Sequence, residues 1–424
     1  MAQRGIREYD GKRLMAKFVP DYWKGFNYPG KIVFVDPKTD MKKLAEQNKW
    51  LQKDKLVVKP DQLFGKRGKH KLLLLNANYP EAQKWIKERM NKKFTVGKTT
   101  GILTDFMIEP FVPHDGNEEY YVAIKTEREG DTVYFSTKGG IFVEENWDKV
   151  SSASIPIGGS LDPKTLESLV SKAPPKRREE IKSFIGALYK FFADLNFTYL
   201  EINPFTFSGK ELMPLDLVAR VDDTAEFESG SKWGKLAFPA PFGRVLSEEE
   251  AYVKSLDEKT GASLKLTILN RDGRIWTMVA GGGASVIFAD TVADLGFAGE
   301  LANYGEYSGD PDEEFTYLYA KTILDLMTMK KDPRGKVLII GGGIANFTDV
   351  AATFKGINRA LREHAKKLRE NKVKIYVRRG GPNYQEGLKQ IKDVAEECGL
   401  NMEVYGPEMH MTRVVSMALK GGKK

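Results

Sequence analysis

One recurrence in the second half of the chain limits its fold more than any other feature. Arg274 to Ala280 runs into Gly281-Gly282-Gly283, Lys336 to Ile340 into Gly341-Gly342-Gly343, and Lys374 to Val377 into Gly380-Gly381, with helical sequence after each glycine cluster. Strands that alternate with helices pack as a parallel sheet, because a parallel neighbour is reached only through a long crossover. Such sheets bind ligands at the carboxyl ends of their strands, where unpaired N–H groups and positive helix-dipole ends converge. All three glycine turns fall at that edge. In Gly341-Gly342-Gly343-Ile344-Ala345-Asn346, Asn346 stands where a dinucleotide fingerprint has its third glycine, so a Rossmann cofactor is rejected and a short anion fits better. Asn346 and Thr348 can hydrogen-bond carboxylates or a hydroxyl, and Arg379 offers a bidentate fork to one carboxylate. Tight turns alone would explain the glycines but not an arginine at the same edge.

The first half has another texture. Up to about Asp223, helices mix with short strands of alternating apolar residues, and Tyr199 to Asn203 is expected to pair with Leu215 to Val221 through a turn at Ser208-Gly209-Lys210. A helix over Glu179 to Asn196 would set Ile181, Phe184, Ile185, Leu188, Phe192 and Leu195 on one stripe, which is core. The proline-bearing segment Gly230 to Arg244 marks a boundary, giving a mixed α+β domain at 1–243 and an α/β domain at 244–424. At 424 residues, each part is long enough to bury its own core.

Charge and cysteine content narrow the function. Lys and Arg number 66 against 58 Asp and Glu, a net charge of +8 spread along the chain. That balance suits phosphates or carboxylates, and without a nucleic-acid motif it predicts no nucleic-acid partner. Cys398 is the only cysteine, which forbids an intrachain disulfide and points to a reducing, cytoplasmic location. No apolar run approaches the ~20 residues of a membrane span, and the N-terminal charges from Arg4 to Arg13 fit neither a signal nor a transit peptide. A short basic tail runs from Lys420 to Lys424.

Chemistry in the first half centres on three segments. Leu56-Val57-Val58-Lys59 is an apolar strand ending in a lysine, and Gly65-Lys66-Arg67-Gly68-Lys69 follows it. A lysine on a buried strand can put a point charge on a phosphate, while the loop brings N–H groups and a guanidinium to others; a solvated basic turn would have the same composition. Glu201, Asn203 and Asp216 fall on two strands expected to pair, and oxygen ligands from adjacent strands are what Mg²⁺ takes when it keeps several waters; a polar solvent face would read alike. Between them, Phe106 to Val112 is either a hinge whose backbone reads a purine edge or a linker between subdomains.

Lys59, Arg67-Gly68, Ile108-Glu109-Pro110-Phe111-Val112, Glu119, Leu200-Glu201-Ile202-Asn203-Pro204 and Asp216, in this order, resemble the ATP-grasp half of acyl-CoA synthetase β subunits. Three longer strings resemble the N-terminal part of the ATP-citrate lyase family more closely still: Val57 to Leu63, Gly281-Gly282-Gly283-Ala284-Ser285, and Arg378 to Gln385. That resemblance covers essentially the whole chain, and in lineages that split the enzyme this part is a separate shorter subunit. It implies an α/β protein in which an ATP-grasp domain, mixed α+β with two subdomains, precedes a flavodoxin-like parallel-sheet domain.

The resemblance also implies roles. Lys59, Arg67 and Gly68 would contact ATP phosphates, Pro110 and Val112 the adenine, and Glu119 the ribose, with Mg²⁺ on Asn203 and Asp216. Citrate would lie on Gly309, Asn346, Thr348 and Arg379 beside Gly282 and Gly283, with His364 at a family position that can carry an aromatic residue next to the arginine. None of His70, His114, His364 and His410 stands in the superfamily's phosphohistidine loop, so no catalytic residue is expected in this chain. His410, near the start of a final helix over Met411 to Leu419, reads as structural or capping. A larger partner subunit, in a hetero-oligomer with no membrane, would supply the phosphohistidine, the CoA site and a citrate-synthase-like domain. The implied reaction converts citrate, ATP and CoA to acetyl-CoA, oxaloacetate, ADP and phosphate. The rivals are a citryl-CoA or succinyl-CoA synthetase subunit, and a non-catalytic nucleotide- or nucleic-acid-binding protein. The joint presence of Lys59, Asn203, Asp216 and Arg379 argues against the last.

Overall fold

Leu200 and Ile202 turn inward while Tyr199 and Glu201 stay partly exposed, the two-residue period that makes Phe197–Ser208 an inner strand of a one-faced antiparallel sheet. The order across this sheet is Gln3–Ile6, Leu217–Asp222, Phe197–Ser208, Tyr120–Glu127, Gly130–Ser136 and Ser151–Pro156, with Glu211–Pro214 hairpinned onto Phe197–Ser208. The helix Arg178–Asp194 lays Ile181, Phe184, Ile185, Leu188, Phe191 and Phe192 into its core, each burial worth roughly 1.5–3 kcal/mol. The computed structural model describes residues 3–140, 143 and 147–420, so all of the basic tail but Lys420 lies outside the described residues.

The expected pairing around Ser208-Gly209-Lys210 is present, but its returning arm is broken. Residues 215–216 leave the ladder between Glu211–Pro214 and Leu217–Asp222, so Asp216 stands in an irregular step and not on a strand. A second sheet orders Val33–Val35, Phe106–Pro110, Leu56–Pro60 and Leu74–Ala77, with its own core under the helices Met41–Gln47 and Tyr79–Arg89. The segment expected as a hinge or linker is therefore mostly an inner strand. Ile108 pairs with Val33 on one side and Val58 on the other, and Phe106, Met107 and Ile108 are fully covered. A strand buried on both faces reads as a continuous apolar run, which is why its sequence hides its strand character.

The chain divides into two compact units, Met1–Val245 and Leu246–Lys424. In the second, the sheet order is Ser263–Ile268, Asn303–Ser308, Ile275–Ala280, Val337–Gly342, Lys374–Arg378 and Asn401–Tyr405. The first of these is an antiparallel edge strand and the other five are parallel. Numbered along the chain, those five run 2-1-3-4-5, the flavodoxin-like order, whose chain reversal falls between Ile275–Ala280 and Val337–Gly342. Both of these strands are buried throughout. The helices Glu248–Asp257, Glu313–Thr328, Val350–Glu370 and Tyr384–Cys398 cover one face, and Gly282–Val292 and Arg413–Lys420 the other.

Candidate functional site

The first unit encloses a cavity of about 390 Å³, and Lys59, Arg67, Gly68, Pro110, Val112, Glu119, Asn203 and Asp216 all line it. Lys59 is carried by Leu56–Pro60, Pro110 ends the neighbouring strand, and Asn203 comes from the larger sheet. Residues from the two larger sheets of the unit thus meet at one void of ligand size.

Its floor is a buried charge cluster. Lys59 Nζ donates to Glu8 Oε1 at 2.7 Å and to the Leu215 carbonyl oxygen at 2.6 Å, and it is ion-paired with Glu109 Oε1 at 2.7 Å. Lys12, wholly buried, lies 2.8 Å from Glu8 Oε1 and 2.7 Å from Glu109 Oε2. Arg67 donates to the Pro60 carbonyl at 3.0 Å and to Glu8 Oε2 at 2.6 Å, and it also pairs with Asp216. Lys12, Lys59 and Arg67 therefore balance Glu8, Glu109 and the more exposed Asp216, and each buried charge of the cluster has an opposite one beside it, as low-dielectric surroundings demand.

The helix Glu8–Tyr22 enters this cluster through a borrowed cap. Its N-cap residue Arg7 makes no side-chain cap; Asp61, at the end of Leu56–Pro60, instead accepts the N–H groups of Glu8 at 2.9 Å and Tyr9 at 3.0 Å. Burial, then the charge of Glu8, pushes the Asp61 carboxyl up to about 7 against the opposing pull of Arg67 and those N–H groups. For Glu8 itself, burial would raise the pKa, but Lys12, Lys59 and Arg67 together hold it well below the usual carboxylate range.

Sequence reasoning missed Glu8, Lys12 and Tyr28. Glu8 and Lys12 have the spacing of an ordinary solvated helix pair, and no local signal marks them as buried. The Tyr28 hydroxyl is covered at the cavity wall without a hydrogen-bond partner. Asn203 Oδ1 accepts the Gly140 N–H at 2.6 Å, and Asp216 reaches the same void. One amide oxygen and one carboxylate fit Mg²⁺ that keeps most of its waters and completes its shell with phosphate oxygens. Among the described residues no group of three or more His, Cys, Asp or Glu could hold a metal without such help.

In the second unit the predicted residues gather along the carboxyl edge of the parallel strands. Gly282 and Gly283 open the helix Gly282–Val292, Gly309 follows Asn303–Ser308, and Asn346 and Thr348 lie in the loop between Val337–Gly342 and Val350–Glu370. Asp310 Oδ1 accepts the Asp349 N–H at 3.3 Å, tying the Gly309 turn to the Thr348 loop. Asn346 is exposed, whereas Thr348 and Arg379 are buried.

Arg379 runs across the strand ends. A Cβ on Gly342 would fall 2.7 Å from its Nη1, so a side chain there would push the guanidinium out of this position. Nη1 donates to the Gly343 carbonyl at 3.2 Å, Nε has no partner, and no carboxylate among the described residues pairs with the group. Its neighbour Arg378 points to the opposite face and spends its donors on the Met409, Gly342 and Pro407 carbonyls.

The position expected beside the arginine, His364, is not at this edge. It lies fourteen residues into the helix Val350–Glu370, about 21 Å from its start at 1.5 Å per residue. It is buried there with Nε2 2.9 Å from Asp325 Oδ1 and Nδ1 2.9 Å from the Ala360 carbonyl oxygen, a helix-packing residue. His410 lies 2.9 Å from the Thr412 hydroxyl, just before Arg413–Lys420.

Comparisons with known proteins cover both units. A family model described as the ATP-citrate synthase ATP-grasp domain matches residues 2–233, and one described as ATP citrate lyase citrate-binding matches residues 244–421. An ATP-citrate synthase alpha chain of Arabidopsis thaliana is 49% identical over 99% of both chains. The ATP-citrate synthase of Homo sapiens is 50% identical over 99% of this chain, which spans 38% of that longer protein. Among solved structures, ATP citrate lyase from Methanothrix soehngenii in complex with citrate and coenzyme A is 53% identical, with a TM-score of 0.88 over 99% of this chain and 100% of that one. A mutant Methanosaeta concilii ATP citrate lyase in complex with (3S)-citryl-CoA is 52% identical with a TM-score of 0.90. The chain belongs to the ATP-citrate lyase family, as the enzyme subunit that joins an ATP-grasp domain to a citrate-binding domain.

Proposed function

We propose that this chain binds Mg·ATP in the cavity of its first unit and citrate at the glycine edge of its second, and that it works with a larger subunit to make acetyl-CoA and oxaloacetate. Lys59, Arg67 and Gly68 face the phosphates, Pro110 and Val112 the adenine, and Glu119 the ribose; bound Mg²⁺ on Asn203 and Asp216 would neutralise phosphate charge. Because the Lys59 ammonium is already held by Glu8, Glu109 and the Leu215 carbonyl, an arriving phosphate meets an oriented cation.

The observation that carries the citrate half is Arg379, a buried guanidinium with a bare Nε and no carboxylate partner among the described residues. An unpaired buried charge is costly, and a carboxylate ligand removes that cost. Gly309, Asn346, Thr348, Gly282 and Gly283 complete the site around it.

In this reading ATP phosphorylates a histidine of the partner, and the phosphoryl group passes to a citrate carboxylate held on this chain. Citryl phosphate forms, the CoA thiol displaces phosphate to give citryl-CoA, and the partner breaks a carbon–carbon bond of citryl-CoA, leaving the thioester in acetyl-CoA and releasing oxaloacetate. The assembly is a cytoplasmic hetero-oligomer; within this chain no helix of the described residues is long and apolar enough to cross a membrane. The test mixes the purified chain and the partner with labelled ATP, citrate and CoA. Acid-labile label on the partner alone, and acetyl-CoA only from the mixture, support the reading. Acetyl-CoA from this chain alone would refute it, and citryl-CoA that accumulates without oxaloacetate would favour a synthetase.

A further inference from the structure

The wall of the first unit's cavity contains a histidine given no role so far. His114 Nδ1 lies 2.7 Å from the Val112 carbonyl oxygen, and its Nε2 lies 3.1 Å from Glu119 Oε1. Both neighbours are acceptors: a carbonyl oxygen carries no proton, and neither does an ionised carboxylate. A ring hydrogen donated to Glu119 therefore has to come from Nε2. The ring bridges a backbone carbonyl and a carboxylate as a clamp, and with side chains 17% and 23% exposed, water competes little for it.

The clamp is part of a longer series. The Gly139 N–H donates to the Glu119 carbonyl at 2.8 Å, and a Cβ on Gly140 would fall 2.7 Å from Glu119 Oε2. The Gly140 N–H in turn holds Asn203 Oδ1 at 2.6 Å. Val112, His114, Glu119, Gly140 and Asn203 thus form one connected wall, and all of them line the cavity.

We propose that His114 is a positioning residue of the nucleotide pocket: its Nε2–H fixes the Glu119 carboxylate to receive the ribose hydroxyls while its Nδ1 stands against the Val112 carbonyl, leaving the Val112 N–H to read the base. The inference rests on the reading of this cavity as the ATP site. A carboxylate locked by a second bond loses no rotamer freedom when the ribose arrives, and a free one does. The clamp therefore acts on the preference for a hydroxylated sugar.

The experiment is calorimetric titration of the full chain with Mg·ATP and with Mg·2′,3′-dideoxyATP, for the parent, His114→Gln, Glu119→Gln and the double variant. Each is first checked for parental circular dichroism and melting. The parent should prefer ATP, each single variant should lose most of that preference, about fivefold to tenfold, and the double variant should lose no more than either single. Imidazole ¹⁵N NMR of the parent should find hydrogen on His114 Nε2, the nitrogen that faces Glu119. The inference is overturned, with the pocket intact, if Glu119→Gln loses the preference while His114→Gln keeps it, if the two losses add, or if Nε2 is bare. If the parent shows no preference, or Glu119→Gln leaves it unchanged, the ribose contact itself is wrong and the inference falls with it. Should the His114 variant not fold, the NMR measurement on the parent decides.

Discussion

Replacing Glu8 by glutamine tests whether the buried charge cluster holds the first unit together. The Glu8 side chain is 2% exposed; Oε1 receives Lys59 and Lys12, and Oε2 receives Arg67. Glutamine keeps the shape, loses the charge and turns an NH₂ group toward one of those cations. Lys12, Lys59 and Arg67 would then face only Glu109 and Asp216, and breaking a buried pair in this way costs about 3–5 kcal/mol. For a unit of this size each kcal/mol lowers Tm by about 2–4 °C, so the first unit's transition should fall by roughly 6–20 °C. Scanning calorimetry of the full chain at pH 7 reads this directly. Lys12→Met supplies the control: with both residues replaced, the loss should be smaller than the sum of the single losses by roughly 0.5–3 kcal/mol. Acid gives the sign. A carboxyl held below its ordinary value of 4.5 stabilises above that pH and loses its contribution as pH falls through the folded-state value, so parent and variant should converge below 4.5. A loss under about 1 kcal/mol at pH 7, or fully additive losses, would refute the reasoning.

Two further outcomes are expected. Arg379→Ala should weaken citrate binding by tens-fold, since a charge-assisted bidentate contact is worth about 2 kcal/mol or more, with melting unchanged; parental citrate affinity in a folded variant would move the site elsewhere. Asp61→Asn should gain stability relative to the parent as pH rises from the ordinary carboxyl value of 3.8 to about 7. The raised folded-state pKa makes the parent lose stability over that window, and asparagine cannot. Urea midpoints of both proteins at pH 4.5 and 7 check it, and a gap that changes in the opposite direction counts against the assigned environment.

The parallel half was legible because its signals are local. Each strand is a short apolar run, each crossover begins at a glycine turn, and period and turn chemistry agree. The edge strand Ser263–Ile268 and the strands Asn303–Ser308 and Asn401–Tyr405 carry polar residues and no glycine cluster of the repeated kind, so the repeat did not announce them. In the first half the strand-end lysine and the arginine loop stood out as candidates, and both line the cavity, but what surrounds them did not. Glu8 and Lys12 lie about fifty residues from Lys59 and about a hundred from Glu109, and only tertiary packing turns a commonplace helix pair into the buried partners of the cavity's Lys59 and Glu109. His364 shows the opposite error: a position tied to the arginine by resemblance is held by its helix far from the edge where the arginine lies.

Arg378 and Arg379 are the same letter twice, yet they answer to different demands. The strand's alternation sends one into backbone carbonyls that would otherwise go unsatisfied, and leaves the other a charge without a match. In a library of substitutions, changes at 378 should appear as lost expression in every growth condition. Changes at 379 should pass unnoticed wherever acetyl-CoA is supplied from another source. Relatives that drift to a different acid would be free to rewrite the second arginine long before the first.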